Sequence, residues 1–225
     1  MQKGKVGLFG AVERTANLES SKMYVALELL LTALSIIIYK TVQELEATDA
    51  FVIFSVILLI VSIVEYIVIK RKDGLGSSLK WIIGISFIIT AVTTTSTMGG
   101  GGSILFVLPI LISVQYCSLL FSIFMSVVTI LGSFIPLLLT SFLSFYDLNV
   151  IKLYPGAVIK VETTLESALN PEIINKAGTK INELLAIFLP SMLFVIIVAI
   201  ISCYIANTYR KTLLEQYRYF QNTRE

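Results

Sequence analysis

Residues 50–69 read AFVIFSVILLIVSIVEYIVI, twenty positions with a single charge, Glu65, and no proline or glycine. A helix needs about 20 such residues to cross the ~30 Å hydrocarbon core of a bilayer. This run decides the fold, and five further apolar runs repeat it, at about 23–39, 81–94, 103–116, 119–145 and 184–204. The third and fourth of the six are short for spans. The fifth is long, and a bend is expected near Gly132 and Pro136; the sixth carries Pro190, another expected kink. The whole chain agrees. Of 225 residues, 56% are hydrophobic and 14% charged, with mean hydropathy +0.87. A water-facing domain carries about 25% charged residues. The expected fold class is therefore all-α, a polytopic membrane helix bundle with six transmembrane helices.

Basic residues orient the bundle. Twelve of the seventeen lie in the N-terminal segment, the loop between the second and third runs, and the C-terminal tail. Lys40 and the four lysines 152, 160, 176 and 180 lie on the other side. Positive loops stay inside, so both termini are expected in the cytoplasm. Residues 1–22 then form a cytoplasmic segment, 23–206 the membrane domain with an outer segment at 146–182, and 207–225 a cytoplasmic connector helix. Val6, Leu8, Phe9 and Val12 are interrupted by glycine and charge, so the first long run reads as a signal-anchor and not a cleaved leader. Tyr39 and Tyr146 at outer ends, and Tyr66, Trp81, Tyr116 and Tyr204 at inner ends, are expected to form interfacial belts.

The composition also excludes chemistry. There is no histidine, which removes His-based acid–base catalysis and His-ligated metals. Cys117 and Cys203 lie in apolar stretches, so no disulfide is expected, and two cysteines make a zinc site improbable. A net charge of +2 gives no nucleic-acid footprint. There is no phosphate-binding loop and no carboxylate cluster at metal spacing. No enzymatic activity, cofactor or metal is expected of this chain.

Four features could carry function. The first is the junction between the third and fourth runs, Thr93, Thr94, Thr95, Ser96, Thr97, Met98, Gly99, Gly100, Gly101, Gly102 and Ser103. Irregular backbone at membrane depth survives only inside protein or lining a watery cavity. Glycine lets a ligand approach backbone closely. The stretch reads either as a ligand-facing vestibule or as an outer turn with hydroxyls bonded back to helix carbonyls. The second is Glu28 and Glu65, expected at similar shallow depth near the cytoplasmic side. They either reach the interface or pair with Lys22 or Lys70, or make polar contacts to another helix that change in signalling. A proton or cation path is disfavoured, because no carboxylate lies in the middle of runs three to six.

The third feature is the outer segment, with Asp147, a Pro155-Gly156 turn, and a Thr163–Glu166 capping box. A helix starting at Pro171 is expected to end at Gly178, and Glu183 to stand at the outer start of the sixth helix, where a negative charge suits the dipole. The fourth is the tail, in which Leu213, Tyr217 and Phe220 share one helical stripe. It reads as the start of a connector or as a basic membrane-surface tail.

Six helices, a Gly/Ser/Thr-rich junction and a charged helix leaving the last span resemble the N-terminal sensor regions of clostridial-type bacterial signalling proteins. Those regions are fused to GGDEF diguanylate cyclases or to sporulation-type serine phosphatases. The resemblance rests on Phe106-Val107-Leu108-Pro109 through Tyr116, Asp147-Leu148-Asn149, Pro155-Gly156-Ala157-Val158-Ile159, Leu165-Glu166-Ser167-Ala168-Leu169 and Leu189-Pro190, within 81–225. The catalytic halves of that family are absent, so no catalytic residue is carried over.

The expected function is a bacterial plasma-membrane sensory domain. It would pass an outer-side or membrane cue, such as an unknown small ligand, through the sixth helix to a cytoplasmic output domain or partner outside this chain. A homodimer through the sixth helix is expected. The alternatives are a solute-binding membrane subunit of an uptake transporter, or a non-catalytic membrane anchor.

Overall fold

The computed structural model describes residues 8–41, 46–142 and 171–222. Apart from the turns at 72–78 and 115–118 these residues are helical, and they contain no strand. In chain order they form α1 (Leu8–Thr41), α2 (Glu46–Arg71), α3 (Leu79–Met98), a 3-10 helix (Gly99–Phe106), α4 (Val107–Val114), α5 (Leu119–Phe142) and α6 (Pro171–Asn222). Five stretches within them are long and apolar enough to cross a membrane: Phe9–Lys40, Phe51–Arg71, Leu79–Thr97, Leu119–Pro136 and Met192–Tyr219. The fourth apolar run is shorter, Gly102–Val114. The chain is a helical bundle with the composition of a membrane protein.

Several expected boundaries move, each for a physical reason. The first helix begins at Leu8, well before residue 23, and its early residues Asn17 and Ser20 are buried where they bond to the turns between other helices. The third helix reaches Met98 and is long and apolar enough to cross a membrane. The fourth run splits into 3-10 and α-helix. Pro109 lies in the first turn of α4, where a missing N–H costs nothing because those donors have no intrahelical acceptor. The glycines before it take the tighter 3-10 form.

The last helix departs most. It starts at Pro171 as expected, yet Gly178 does not end it, and one helix of 52 residues runs on to Asn222. A lone glycine costs a helix only ~1 kcal/mol relative to alanine, and good helix formers flank it. Glu183 therefore sits well inside α6 and not at a helix start, which removes its capping role. Asp147, the Pro155-Gly156 turn and the Thr163–Glu166 box lie outside the described residues.

Two apolar clusters hold the bundle. One gathers Tyr24 of α1, Ile69 of α2, Ile83 and Phe87 of α3, and Phe121 and Met125 of α5. Trp81 packs edge-on against Phe121 and Phe124, at 4.9 and 4.8 Å between centroids. The other joins Ala91, Phe106 and Ile110 to Val195 and Ala199 of α6. Large apolar side chains on the opposite faces point outward, among them Ile53, Ile57, Ile60 and Val64 of α2 and Ile197, Ile200 and Ile201 of α6. In water such a surface would drive association; lipid chains cover it without cost. Tyr39 and Tyr204 are exposed as a belt requires, but Tyr116 is buried in the first cluster, where its ring meets Phe121 at 4.9 Å.

Candidate functional site

The helix α3 is the polar axis of the bundle. Ser86, Thr90, Thr94 and Thr97 recur at four, four and three residues, which puts their hydroxyls along one helical face. Tyr24 and Glu28 of α1, themselves one turn apart, meet this face at Thr90. The Tyr24 and Thr90 hydroxyls are 3.2 Å apart, and Thr90 donates to Glu28 Oε1. One turn earlier, Ser86 donates to Glu65 Oε2 of α2 at 2.8 Å. The two carboxylates thus leave different helices and are received by hydroxyls one turn apart on a third.

This geometry replaces the expected pairing with lysine. Lys22 binds Glu19 at 2.7 Å, and Lys70 lies over the Tyr66 ring at 5.7 Å. Glu28 is 0% exposed, and it lies about 16 Å along α1 from Asn17. Glu65 lies about 9 Å along α2 from its end at Arg71. Along α3, the hydroxyl that meets Glu28 lies one turn farther from the α2–α3 turn than the one that meets Glu65. Both carboxylates make polar contact with another helix, one of the alternatives read from the sequence. Glu28 Oε2 and Glu65 Oε1 are buried without a hydrogen-bond partner among the described residues.

At the C-terminal end of α3 the junction is tightly packed. Thr94, Thr95, Ser96, Thr97, Gly102 and Ser103 are all buried. Ser96 donates to the Val92 carbonyl at 2.8 Å, and Thr97 to those of Thr93 and Thr94 at 3.0 and 3.2 Å. A Cβ on Gly102 would lie 2.8 Å from Thr95 Cα, so the 3-10 backbone rests directly on the backbone of α3. Thr95 Oγ1 is buried without a hydrogen-bond partner among the described residues. Gly99, Gly100 and Gly101 form the start of the 3-10 helix.

One constellation was not visible in the sequence. The first turns of α1 clasp the α2–α3 turn and the α4–α5 turn. Arg14 pairs with Asp73, and its Nε donates to the Asp73 carbonyl at 2.9 Å. Asn17 donates to the Gly74 carbonyl at 2.9 Å. Ser20 donates to Gln115 Oε1 at 3.1 Å, and Lys80 pairs with Glu13 at 3.1 Å. The only local signal was Asp73-Gly74, which marks a turn; its partners lie nearly sixty positions away. Both turns use left-handed backbone, with φ 52° at Asp73, 70° at Gly74 and 49° at Cys117.

The connector residues Leu213, Tyr217 and Phe220 all fall within α6. They are far along the chain from α3, on a helix that packs on α4, α5 and the 3-10 helix. No family model matches this chain, and no curated protein or solved structure does.

Proposed function

We propose that this chain is the membrane receiver of a bacterial signalling protein, passing a cue from the outer side or the bilayer through α6 to a cytoplasmic output. The observation that carries this reading is the continuity of α6. Its 52 residues, with Pro190 inside the helix, make one continuous helical path of about 78 Å, more than twice the hydrocarbon thickness. A displacement at one end of an unbroken helix is delivered at the other. The inward face of α6 is Val195, Ala199, Ser202 and Ala206. Three of these four are small, so rotation or axial shift disengages few interlocking side chains. The cue must still bind two α6 positions with different affinity, since only that difference can shift the equilibrium.

The proposal includes six crossings with both termini cytoplasmic. The 3-10 helix rises about 2.0 Å per residue. Gly99–Phe106 and Val107–Val114 together therefore descend about 28 Å, close to the ~30 Å length of α3. The short α4 does not make the return arm short. The cue site belongs at the packed junction Thr94–Ser103 and the outer segment, and the connector Leu213–Phe220 pairs with its equivalent in a second copy.

The test is a fusion. A diguanylate cyclase domain joined after Asn222, with one to seven residues inserted at the joint, should give output that rises and falls with helical period. Output indifferent to the insertion length would remove the rod mechanism.

A further inference from the structure

We propose that Lys70 and Arg71 at the end of α2, with Tyr66 and Lys22 beside them, hold the headgroup of an anionic phospholipid whose chains lie along the exposed face of α2. The charge inventory of this end of the bundle leads there. Three ion pairs gather at it, Arg14–Asp73, Lys22–Glu19 and Lys80–Glu13. They use every carboxylate of the α2–α3 turn and of the first turns of α1. Lys70, Arg71 and Lys72 follow one another in the sequence, are exposed, and meet no carboxylate among the described residues. Cations at a helix C-terminus suit its dipole, but a partial charge of about one half does not neutralise three of them.

Geometry points the same way. Lys70 Nζ lies 5.7 Å from the centre of the Tyr66 ring, and Lys22 of α1 is within electrostatic reach of the same side chain. Tyr66 thus marks where a basic residue of α1 and one of α2 converge. Lys22 is shared with Glu19 at 2.7 Å, an exposed pair of little strength, so Lys70 and Arg71 make the main contact. Next to them the surface is apolar. Ile60, Ile63 and Ile67 are exposed, and their spacing of three and four continues to Lys70 and Arg71, which puts all five along one helical face. From Ile60 to Arg71 is about 16 Å along the axis, one leaflet's share of the ~30 Å hydrocarbon core. A phosphate on the basic pair therefore leaves its acyl chains on that stripe. Arginine takes two phosphate oxygens at once, and lysine adds a point charge. An anionic headgroup is favoured over a choline one because it brings no second cation toward three uncompensated positive charges.

The site does not rest on the signalling role, and its test reads lipid binding and not output. Tyr66→Trp in a Trp81→Phe background moves the chain's one tryptophan to the site. That chain is reconstituted in phosphatidylcholine with increasing fractions of phosphatidylglycerol brominated on its acyl chains, and quenching gives the relative affinity of the two lipids. Phosphatidylglycerol should be preferred, by roughly fivefold per basic side chain engaged. Lys70→Gln with Arg71→Gln should bring the preference close to unity. Arg210→Gln with Lys211→Gln removes the same charge from α6 and should leave it unchanged, and soluble glycerophosphate at matched ionic strength should not displace the lipid. Native mass spectrometry of the unsubstituted chain gives a second readout, a retained phosphatidylglycerol that the Lys70 and Arg71 variant loses. Equal affinity for the two lipids, or a preference that survives substitution of Lys70 and Arg71, overturns the proposal. So does a preference that falls equally for both charge pairs, which is a general surface potential, or one that glycerophosphate abolishes, which is a phosphate site indifferent to the α2 stripe.

Discussion

The Tyr116 hydroxyl, just past the end of α4, donates to the Asn17 carboxamide oxygen of α1 at 3.1 Å, across 99 positions of sequence. The same carboxamide donates to the Gly74 carbonyl at 2.9 Å. One buried side chain therefore fastens two turns to the first helix. Asn17→Ala leaves a hydroxyl and a carbonyl unpaired, at about 1–3 kcal/mol each. Tyr116→Phe keeps the ring contact with Phe121 and the Gly74 bond. Thermal unfolding in nanodiscs should show the Asn17 variant clearly less stable than the Tyr116 variant. Equal shifts would assign the whole joint to the tyrosine hydroxyl.

The turn that Asn17 grips is itself conformationally selected. Gly74 has φ +70°, and a Cβ there would lie 2.6 Å from the Arg14 carbonyl oxygen. Gly74→Ala combines left-handed strain with a backbone clash, of order 1–3 kcal/mol for the strain alone. Asp73→Ala removes the side-chain half of the Arg14 pair, whose partners are both exposed; such pairs contribute about 0–1 kcal/mol. At φ 52° it adds only the difference between aspartate and alanine in the left-handed region, since neither is glycine. The alanine at 74 should therefore lower the unfolding midpoint far more than the alanine at 73.

These contacts show why some of the fold was legible and some was not. The second helix was readable because 50–69 is one apolar run with no competing signal. The first turns of α1 were not, because Asn17 and Ser20 look like solvated residues until the distant polar groups that meet them are known. Glycine was read as punctuation at Gly178, where the helix runs through it. At 99–102 a glycine-rich link was visible, but not the contact of Gly102 with the α3 backbone. Glu28 and Glu65 could be assigned to one half of the bundle from their neighbours in sequence. That both end on α3 hydroxyls depends on which helices are adjacent, and hydrophobic periodicity does not encode adjacency.

Cys117 offers a pH-dependent probe of the α4–α5 turn. Partial burial pushes its thiol up from the ordinary value, and only the thiolate reacts. At any pH below that range the folded protein holds less thiolate than an open cysteine does. In a Cys203→Ser background, maleimide labelling should reach half its maximal rate at higher pH than labelling of glutathione. Unfolding in detergent should abolish the difference. Coincident profiles for folded protein and glutathione would mean that the turn opens readily.

The junction can be tested by shape. Gly102 meets Thr95 Cα and N at distances a Cβ could not tolerate, 2.8 and 2.9 Å. Overpacking of this kind costs typically about 1–3 kcal/mol. Gly102→Ala should be destabilising and Gly102→Val more so, because the branched side chain must push the 3-10 helix off α3. A stable valine variant would show that the two segments are not in backbone contact.

Crossing of the Gly99–Val114 segment has a direct readout. The turns at Gly74 and at Gln115 both bond to α1, at Asn17 and Ser20, so they lie at the same end of the bundle. Single cysteines at Ser77, Lys40 and Arg218, in a background lacking Cys117 and Cys203, are challenged in intact cells and in inverted vesicles with an impermeant maleimide. Ser77 and Arg218 should label only in inverted vesicles, together with native Cys117 when it is restored. Lys40 should label only in intact cells. Labelling of Arg218 from the Lys40 side would leave an odd number of crossings and remove the six-helix topology, because α6 would then end where α1 does.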